Sequence, residues 1–342
     1  MRRVFKYLLL LIFLCAGWST AFGQPNARMR FEDKVRIREA MKIAQLYGEK
    51  IWKGMQKVPF AIVLVTDSVE FLINHPAPSS DFNLLEDDTI LASKIYYRKT
   101  VLDKRLLATF PAVGGFNTIV VGTPENTGKH STDWIITLLH EHFHQYTYSS
   151  PDYYAAVEKL ELSGGEQSGM WMLNYPFPYR DSAVMHYYRK YTVALSKTLT
   201  SIGTDSFMDN FMEYRNERRS FQEALKPADY RYFSFQVWQE GLARYTEHKF
   251  LELLKTYEPS KVVMELADFV SFKKYGKGFY QKQLARITDY KLEKGRRECF
   301  YALGFAEGLI LDKLNSSWRE KYRSERFYVE RYSDEFGSQE GK

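Results

Sequence analysis

From Ser131 onward, most of the chain consists of long segments whose apolar side chains recur at the spacing of an amphipathic helix. The segments lie near 131–147, 181–201, 205–225, 231–256 and 297–314. The loops between them contain the residues that end helices, namely Pro151, Gly164-Gly165, Pro176, Pro178 and Pro227. This pattern predicts a helical lobe over residues 151–342.

The preceding residues combine one long helix with strands. Residues 31–57 carry apolar side chains close to a period of 3.6 residues, which predicts an amphipathic helix that covers a sheet. Residues 60–66 form a short β-branched run that is typical of a buried strand. Further strand-like segments lie near 89–92, 94–101 and 116–122, separated by turn residues such as Pro111 and Gly114-Gly115. The sequence therefore predicts a mostly helical α+β fold, with a small mixed-sheet lobe and its long helix in residues 24–150.

Residues 1–23 have the layout of a secretory signal peptide, with basic residues first, an apolar run next and small residues last. These parts are Arg2, Arg3 and Lys6, then Tyr7 to Ala16, then Ala21-Phe22-Gly23. A membrane anchor is the alternative, but the apolar run is much shorter than the roughly 20 residues that a spanning helix needs. We therefore expect cleavage after residue 23, no stable membrane anchor, and a mature protein that is secreted or periplasmic.

Cleavage would remove Cys15 and leave Cys299 as the only thiol, so the mature chain has no intramolecular disulfide. Its fold depends on a hydrophobic core, which a chain of this length can build as one domain or two packed lobes. Of the 48 basic residues, three lie in residues 1–23, which leaves 45 against 42 acidic residues, a net charge of +3. This balance, with no block of Lys and Arg, does not indicate nucleic-acid binding. The aromatic content of 16% fits either an aromatic core or a sugar- or peptide-binding groove.

The residues that indicate chemistry are His140-Glu141-His142-Phe-His144, which match the pattern His-Glu-x-x-His inside the predicted helix 131–147. Residues at i and i+4 share one face of a helix, so His140 and His144 can direct their rings at one metal ion. Glu141 lies on nearly the same side and suits a general base that acts on water. His142 points away and is not expected to be a ligand. The alternative is a pair of core histidines, but a buried, unpaired carboxylate between them would be costly.

A catalytic zinc site has three protein ligands and one open position, so a third ligand is expected downstream. The segment 238–247 has the pattern of a helix with Glu240 on its inward side, and Gly241 allows a neighbouring element to approach closely. Glu240 is therefore the predicted third ligand. Glu247 could accept a hydrogen bond from one of the two histidines, or it could be exposed to solvent.

The two blocks together, His140-Glu141-x-x-His144 and Glu240-Gly-x-Ala-x-Tyr245, resemble the gluzincin branch of the zinc metallopeptidases. The resemblance is confined to these two blocks, and 95 residues lie between His144 and Glu240, far more than in compact gluzincins. It implies a zincin-like fold in which His140, His144 and Glu240 bind Zn²⁺ and Glu141 is the general base.

The same resemblance implies two further features. Gluzincins have an edge strand that pairs with an extended peptide substrate, and residues 116–122, which precede the metal-binding helix, are the expected counterpart. An ordinary interior strand is the alternative for these residues. Related enzymes also use a tyrosine hydroxyl to stabilise the oxyanion, and Tyr301, near the start of the helix at 297–314, is the candidate.

Two functions follow from these residues. The first is a secreted zinc metallopeptidase that hydrolyses amide bonds in a peptide or protein substrate. The second is a secreted peptide- or glycan-binding protein on the same fold, without catalysis. The presence of Glu141 favours the first function, because a binding protein has no need for a base beside two histidines.

Overall fold

The protein is described here from a computed structural model that covers residues 27–336. The signal peptide predicted over residues 1–23 lies outside this range. Within the range, no helix combines the length and the apolar character needed to cross a bilayer.

Six strands and a series of helices make up the described chain. The strands are β1 Ile62–Val65, β2 Val69–Ile73, β3 Asn83–Asp88, β4 Ser93–Lys99, β5 Leu107–Val113 and β6 Phe116–Gly122. The first seven helices are α1 Phe31–Ile51, α2 Pro124–Thr127, α3 Ser131–Tyr148, α4 Tyr153–Glu158, α5 Trp171–Asn174, α6 Ser182–Thr200 and α7 Phe207–Glu223. The others are α8 Pro227–Gln236, α9 Leu242–Leu253, α10 Lys261–Met264, α11 Phe272–Asp289, α12 Leu292–Gly295 and α13 Cys299–Leu314.

Shorter helical turns complete the described chain. A π-helical turn, Val237–Gly241, joins α8 to α9. The 3₁₀ turns are Met55–Lys57, Leu254–Thr256, Arg296–Glu298, Trp318–Lys321 and Val329–Phe336. The mostly helical α+β fold predicted from the sequence is confirmed.

The strands form one mixed sheet in the order β3-β4-β2-β1-β6-β5. Only β1 and β6 pair in parallel, with Ile62 opposite Ile119, and the other neighbours are antiparallel. Alternate side chains point to opposite faces of the sheet. Ile62 and Leu64 therefore join the main core with α1 and α3, whereas Val63 and Val65 pack into a smaller cluster on the other face.

β5 forms one edge of the sheet, and β6 lies between β1 and β5. The expectation that residues 116–122 are the edge strand is therefore wrong. The sequence places a turn at Pro111, yet the structure places this proline within β5, where the register shifts between Phe110 and Val113. An edge strand tolerates proline because the missing N–H faces no neighbouring strand.

Other boundaries also differ from the sequence patterns. Residues 89–92 form a turn rather than a strand, because the Asp88 carboxylate accepts a hydrogen bond from the Leu91 N–H at 2.7 Å. The helix predicted over 31–57 ends at Ile51, and Gly54 reverses the chain at φ 85° before a 3₁₀ turn. The strands β2, β3 and β5 and the helix α11 were not predicted.

Candidate metal site

α3 carries the two histidines into the centre of the molecule. Its N-terminus is capped by the His130 side chain, whose Nδ1 accepts a hydrogen bond from the Asp133 N–H at 3.3 Å. The helix packs against α1, α9 and the strands β5 and β6, so its last two turns are buried on almost all sides. As the i, i+4 spacing predicts, the rings of His140 and His144 meet, with their Nε2 atoms 3.2 Å apart.

Glu240 reaches the same point from the π-helical turn between α8 and α9. Its Oε2 lies 3.6 Å from His140 Nε2, and its Oε1 lies 3.7 Å from His144 Nε2. One potential ligand atom from each of the three side chains lies within 4.8 Å of the other two. π-Turns are rare and occur often at functional sites, where the extra residue redirects a side chain. The structure therefore brings together His140, His144 and Glu240, the three ligands predicted from the sequence.

The separations among these atoms fit a common metal ion. An ion with tetrahedral bonds of about 2.0–2.1 Å keeps its ligand atoms roughly 3.3 Å apart. The two Nε2 atoms are 3.2 Å apart, and each lies 3.6–3.7 Å from a different carboxylate oxygen of Glu240. Two imidazoles and one carboxylate also form a donor set that binds divalent first-row metals. His140, His144 and Glu240 could therefore hold such an ion.

Glu247 orients His140 for this role. Its Oε1 accepts a hydrogen bond from His140 Nδ1 at 2.5 Å, which leaves the Nε2 lone pair directed at the proposed metal position. The side chain is 2% exposed, so the alternative of a solvent-exposed Glu247 is wrong. Arg244 Nη1 donates to the same Oε1 at 2.8 Å and compensates the buried negative charge.

The charges in the cluster favour a cation. Burial lowers the pKa of His140, but hydrogen bonds to Glu240 and Glu247 outweigh the burial and raise it to about 9. Burial raises the pKa of Glu240, but the charge of His144 and hydrogen bonds to both histidines lower it well below its usual value. The cluster therefore favours a positive charge beside Glu240. A metal ion would supply a positive charge at this point.

Glu141 is a buried carboxylate beside the triad, with 5% of its surface exposed. Thr109, on the edge strand β5, donates a hydrogen bond to its Oε2 at 2.9 Å. Within residues 27–336 Glu141 forms no ion pair, so its negative charge is not compensated by a neighbouring cation. Because such a charge is costly to bury, Glu141 is not explained by packing alone. Thr109 was missed because β5 was not recognised in the sequence.

A close contact between two glycines fixes the π-turn. A Cβ atom on Gly241 would lie 2.5 Å from Gly304 Cα on α13. Conversely, a Cβ atom on Gly304 would lie 2.6 Å from Gly241 Cα and even closer to the carbonyl oxygen of Val237. Only glycine at both positions lets α13 approach the backbone that carries Glu240. The close approach expected at Gly241 is therefore confirmed.

Two tyrosines border the triad. Tyr301, on the first turn of α13, accepts a hydrogen bond from Arg297, and burial together with the Glu240 carboxylate raises its pKa well above 10. Tyr148, one helical turn after His144, stacks on that histidine with ring centroids 5.7 Å apart. Tyr148 was missed, although its i+4 spacing from His144 was a visible signal.

His142 lies away from the triad, as expected. Its ring stacks on Phe60 with centroids 4.3 Å apart, and its Nδ1 lies 2.9 Å from Gln145 Oε1. Burial lowers its pKa to about 4, so it stays neutral near pH 7. Its neutral ring contributes to the core between α3 and the segment before β1.

Comparison with protein-family models, with curated proteins and with solved structures finds no match to this chain. The geometry of residues 27–336 gives a mixed sheet, a helical region and a candidate metal site of two histidines and a glutamate, which is consistent with a metallohydrolase.

Proposed function

We propose that this protein is a zinc-dependent peptidase of the gluzincin type. The observation that carries the proposal is the convergence of His140, His144 and Glu240 on one point, next to the buried carboxylate of Glu141. We propose zinc because two histidines and one glutamate are a known ligand set of catalytic zinc sites. Such sites keep a fourth position open for water or substrate. We infer from the predicted signal peptide that the reaction takes place in the periplasm or outside the cell.

In this proposal Glu141 is the general base. A zinc ion held by His140, His144 and Glu240 would supply Lewis acidity for the scissile carbonyl and would lower the pKa of water toward neutrality. Glu141 takes a proton from the attacking water and passes it to the leaving amine. The hydrogen bond from Thr109 at 2.9 Å holds the Glu141 carboxylate in one orientation while it does so.

The oxyanion would be stabilised by a tyrosine. Arg297 can only donate hydrogen bonds, so Tyr301 accepts from it and keeps its own hydroxyl proton free to donate. Tyr148 is arranged similarly, since Gln239 Nε2 donates to its hydroxyl at 3.0 Å. Tyr301 remains the candidate proposed from the sequence, and Tyr148 is the alternative that its contact with His144 supports.

The substrate is proposed to be an extended peptide or a protein segment. β5, rather than residues 116–122, supplies the sheet edge beside Glu141, because Thr109 belongs to this strand. A peptide could add to that edge through main-chain hydrogen bonds, which would place a scissile amide alongside α3.

Metal removal tests the proposal directly. The purified mature protein should cleave members of a mixed peptide pool, detected by mass spectrometry. Treatment with a chelator should abolish the cleavage, and added zinc should restore it. Cleavage that persists without metal would contradict the proposal. Stoichiometric zinc without any cleavage would instead favour the peptide- or glycan-binding protein.

A further inference from the structure

A cavity of about 790 Å³ is lined in part by Arg297, whose guanidinium donates a hydrogen bond to Tyr301 at the border of the candidate metal site. One wall is formed by residues 173–179 and the other by residues 289–298, which end where α13 begins. We call it the basic cavity.

Each wall of the cavity contacts a tyrosine on an element that forms the metal site. On one side, Arg297 donates a hydrogen bond to Tyr301, whose ring also lies 5.8 Å from the Arg244 guanidinium. On the other side, Tyr175 stacks on Tyr232 with centroids 4.3 Å apart. Tyr232 belongs to α8, the helix that continues into the π-turn of Glu240. A substrate bound at the triad would therefore have the basic cavity within reach.

The cavity carries more positive than negative charge. Four cationic side chains line it, against the two carboxylates of Asp289 and Glu298, and the four are Lys291, Lys294, Arg296 and Arg297. In residues 27–336 none of the four forms an ion pair. These cations are therefore available to an anionic ligand.

Arg297 is the cation best placed to bind such a ligand. It is half-buried, and the only hydrogen bond of its guanidinium in the described chain is the one that Nη1 donates to Tyr301. A guanidinium offers five N–H donors in a planar fork, so most of them remain free. This fork matches the two oxygens of a carboxylate.

The turn that presents Arg297 has an unusual backbone. Arg296, the residue before it, adopts φ 46° and ψ −134°, a backbone conformation that residues other than glycine rarely adopt. Such conformations are energetically unfavourable and persist where the surrounding structure imposes them. The strain lies at the rim of the basic cavity.

We propose that the basic cavity binds a carboxylate of the substrate, with Arg297 as the main contact and Lys294 at the rim. The proposal rests on the proposed peptidase function and names its substrate class, peptides that carry a negative charge near the scissile bond. The carboxylate could be the C-terminus or an acidic side chain, which present the same chemistry to Arg297.

The test measures binding separately from catalysis. Calorimetric titration of the purified protein uses four compounds. N-acetylglutamate carries both carboxylates, and N-acetylglutamine amide carries neither. The α-amide of N-acetylglutamate keeps only the side-chain carboxylate, and N-acetylglutamine keeps only the α-carboxylate. We expect the neutral compound to bind at least 10-fold more weakly than the best charged one, and Arg297→Ala to remove that preference. The two singly charged compounds distinguish a C-terminal carboxylate from a side-chain carboxylate.

Two further variants keep the test decisive. Lys294→Ala changes an exposed side chain and should weaken carboxylate binding by roughly 3-fold without affecting folding. Arg219→Ala removes an exposed arginine of α7 outside the cavity and should leave binding unchanged. Carboxylate binding that survives both Arg297→Ala and Lys294→Ala would overturn the proposal, as would equal binding of all four compounds. A protein that binds no metal but shows the expected preference would contradict the peptidase and leave the carboxylate site standing.

Discussion

Glu141→Gln is expected to lower kcat for peptide hydrolysis by roughly 10²- to 10⁴-fold, the usual contribution of general acid–base catalysis. Glutamine has the same shape as glutamate and can still accept the hydrogen bond from Thr109, so the local packing should persist. It cannot, however, take a proton from water at neutral pH. Steady-state kinetics on a peptide cleaved by the wild type measure the effect.

Metal content is the control for this variant. Glu141 is not one of the three proposed ligands, so Glu141→Gln should retain as much metal as the wild type. A kcat within a few-fold of wild type would remove Glu141 from the mechanism. Loss of activity together with loss of metal would instead mean that Glu141 supports the metal site rather than the proton transfer.

Gly304→Ala is expected to destabilise the protein by about 3 kcal/mol, the upper end for overpacking in a core. The new methyl group would meet the backbone of the π-turn, with Gly241 Cα only 2.6 Å away, and no side-chain rotation can relieve that contact. Because Glu240 lies within this turn, the variant should also bind metal more weakly. Chemical denaturation and metal titration measure the two effects.

Gly278→Ala provides a matched control. Gly278 lies within α11, and a Cβ atom there would meet nothing within 4 Å. Alanine should stabilise this helix by up to about 1 kcal/mol, because it restricts the unfolded chain more than glycine does. Equal effects of the two substitutions would show that the contact between α13 and the π-turn does not hold the site together.

The part of the site that lies within one helix could be predicted from the sequence. His140 and His144 are fixed relative to each other by the geometry of α3, so their spacing alone predicts that their rings meet. Glu240 could also be proposed, because its neighbour Gly241 indicates a close approach by another element. No local pattern indicates that this segment is a π-turn, because that conformation depends on the packing of α13.

The parts that depend on distant contacts could not be predicted. Pro111 is typical of a turn, and only the position of β5 at the sheet edge explains its presence in a strand. In β2, Glu70 interrupts an apolar run, and its burial is explained by Arg98, whose Nε donates to it at 2.6 Å. The basic cavity is formed by residues 173–179 and 289–298, whose proximity no local pattern reveals.

The most direct test of the metal site is elemental analysis of the purified protein, compared with variants at two proposed ligands. The wild type should contain one zinc ion per chain, and both His144→Ala and Glu240→Gln should lose it or hold it weakly. His186→Ala, which changes an exposed histidine on α6, should retain it. A wild-type protein without metal after incubation with zinc, or full metal content in both ligand variants, would contradict the account of this site.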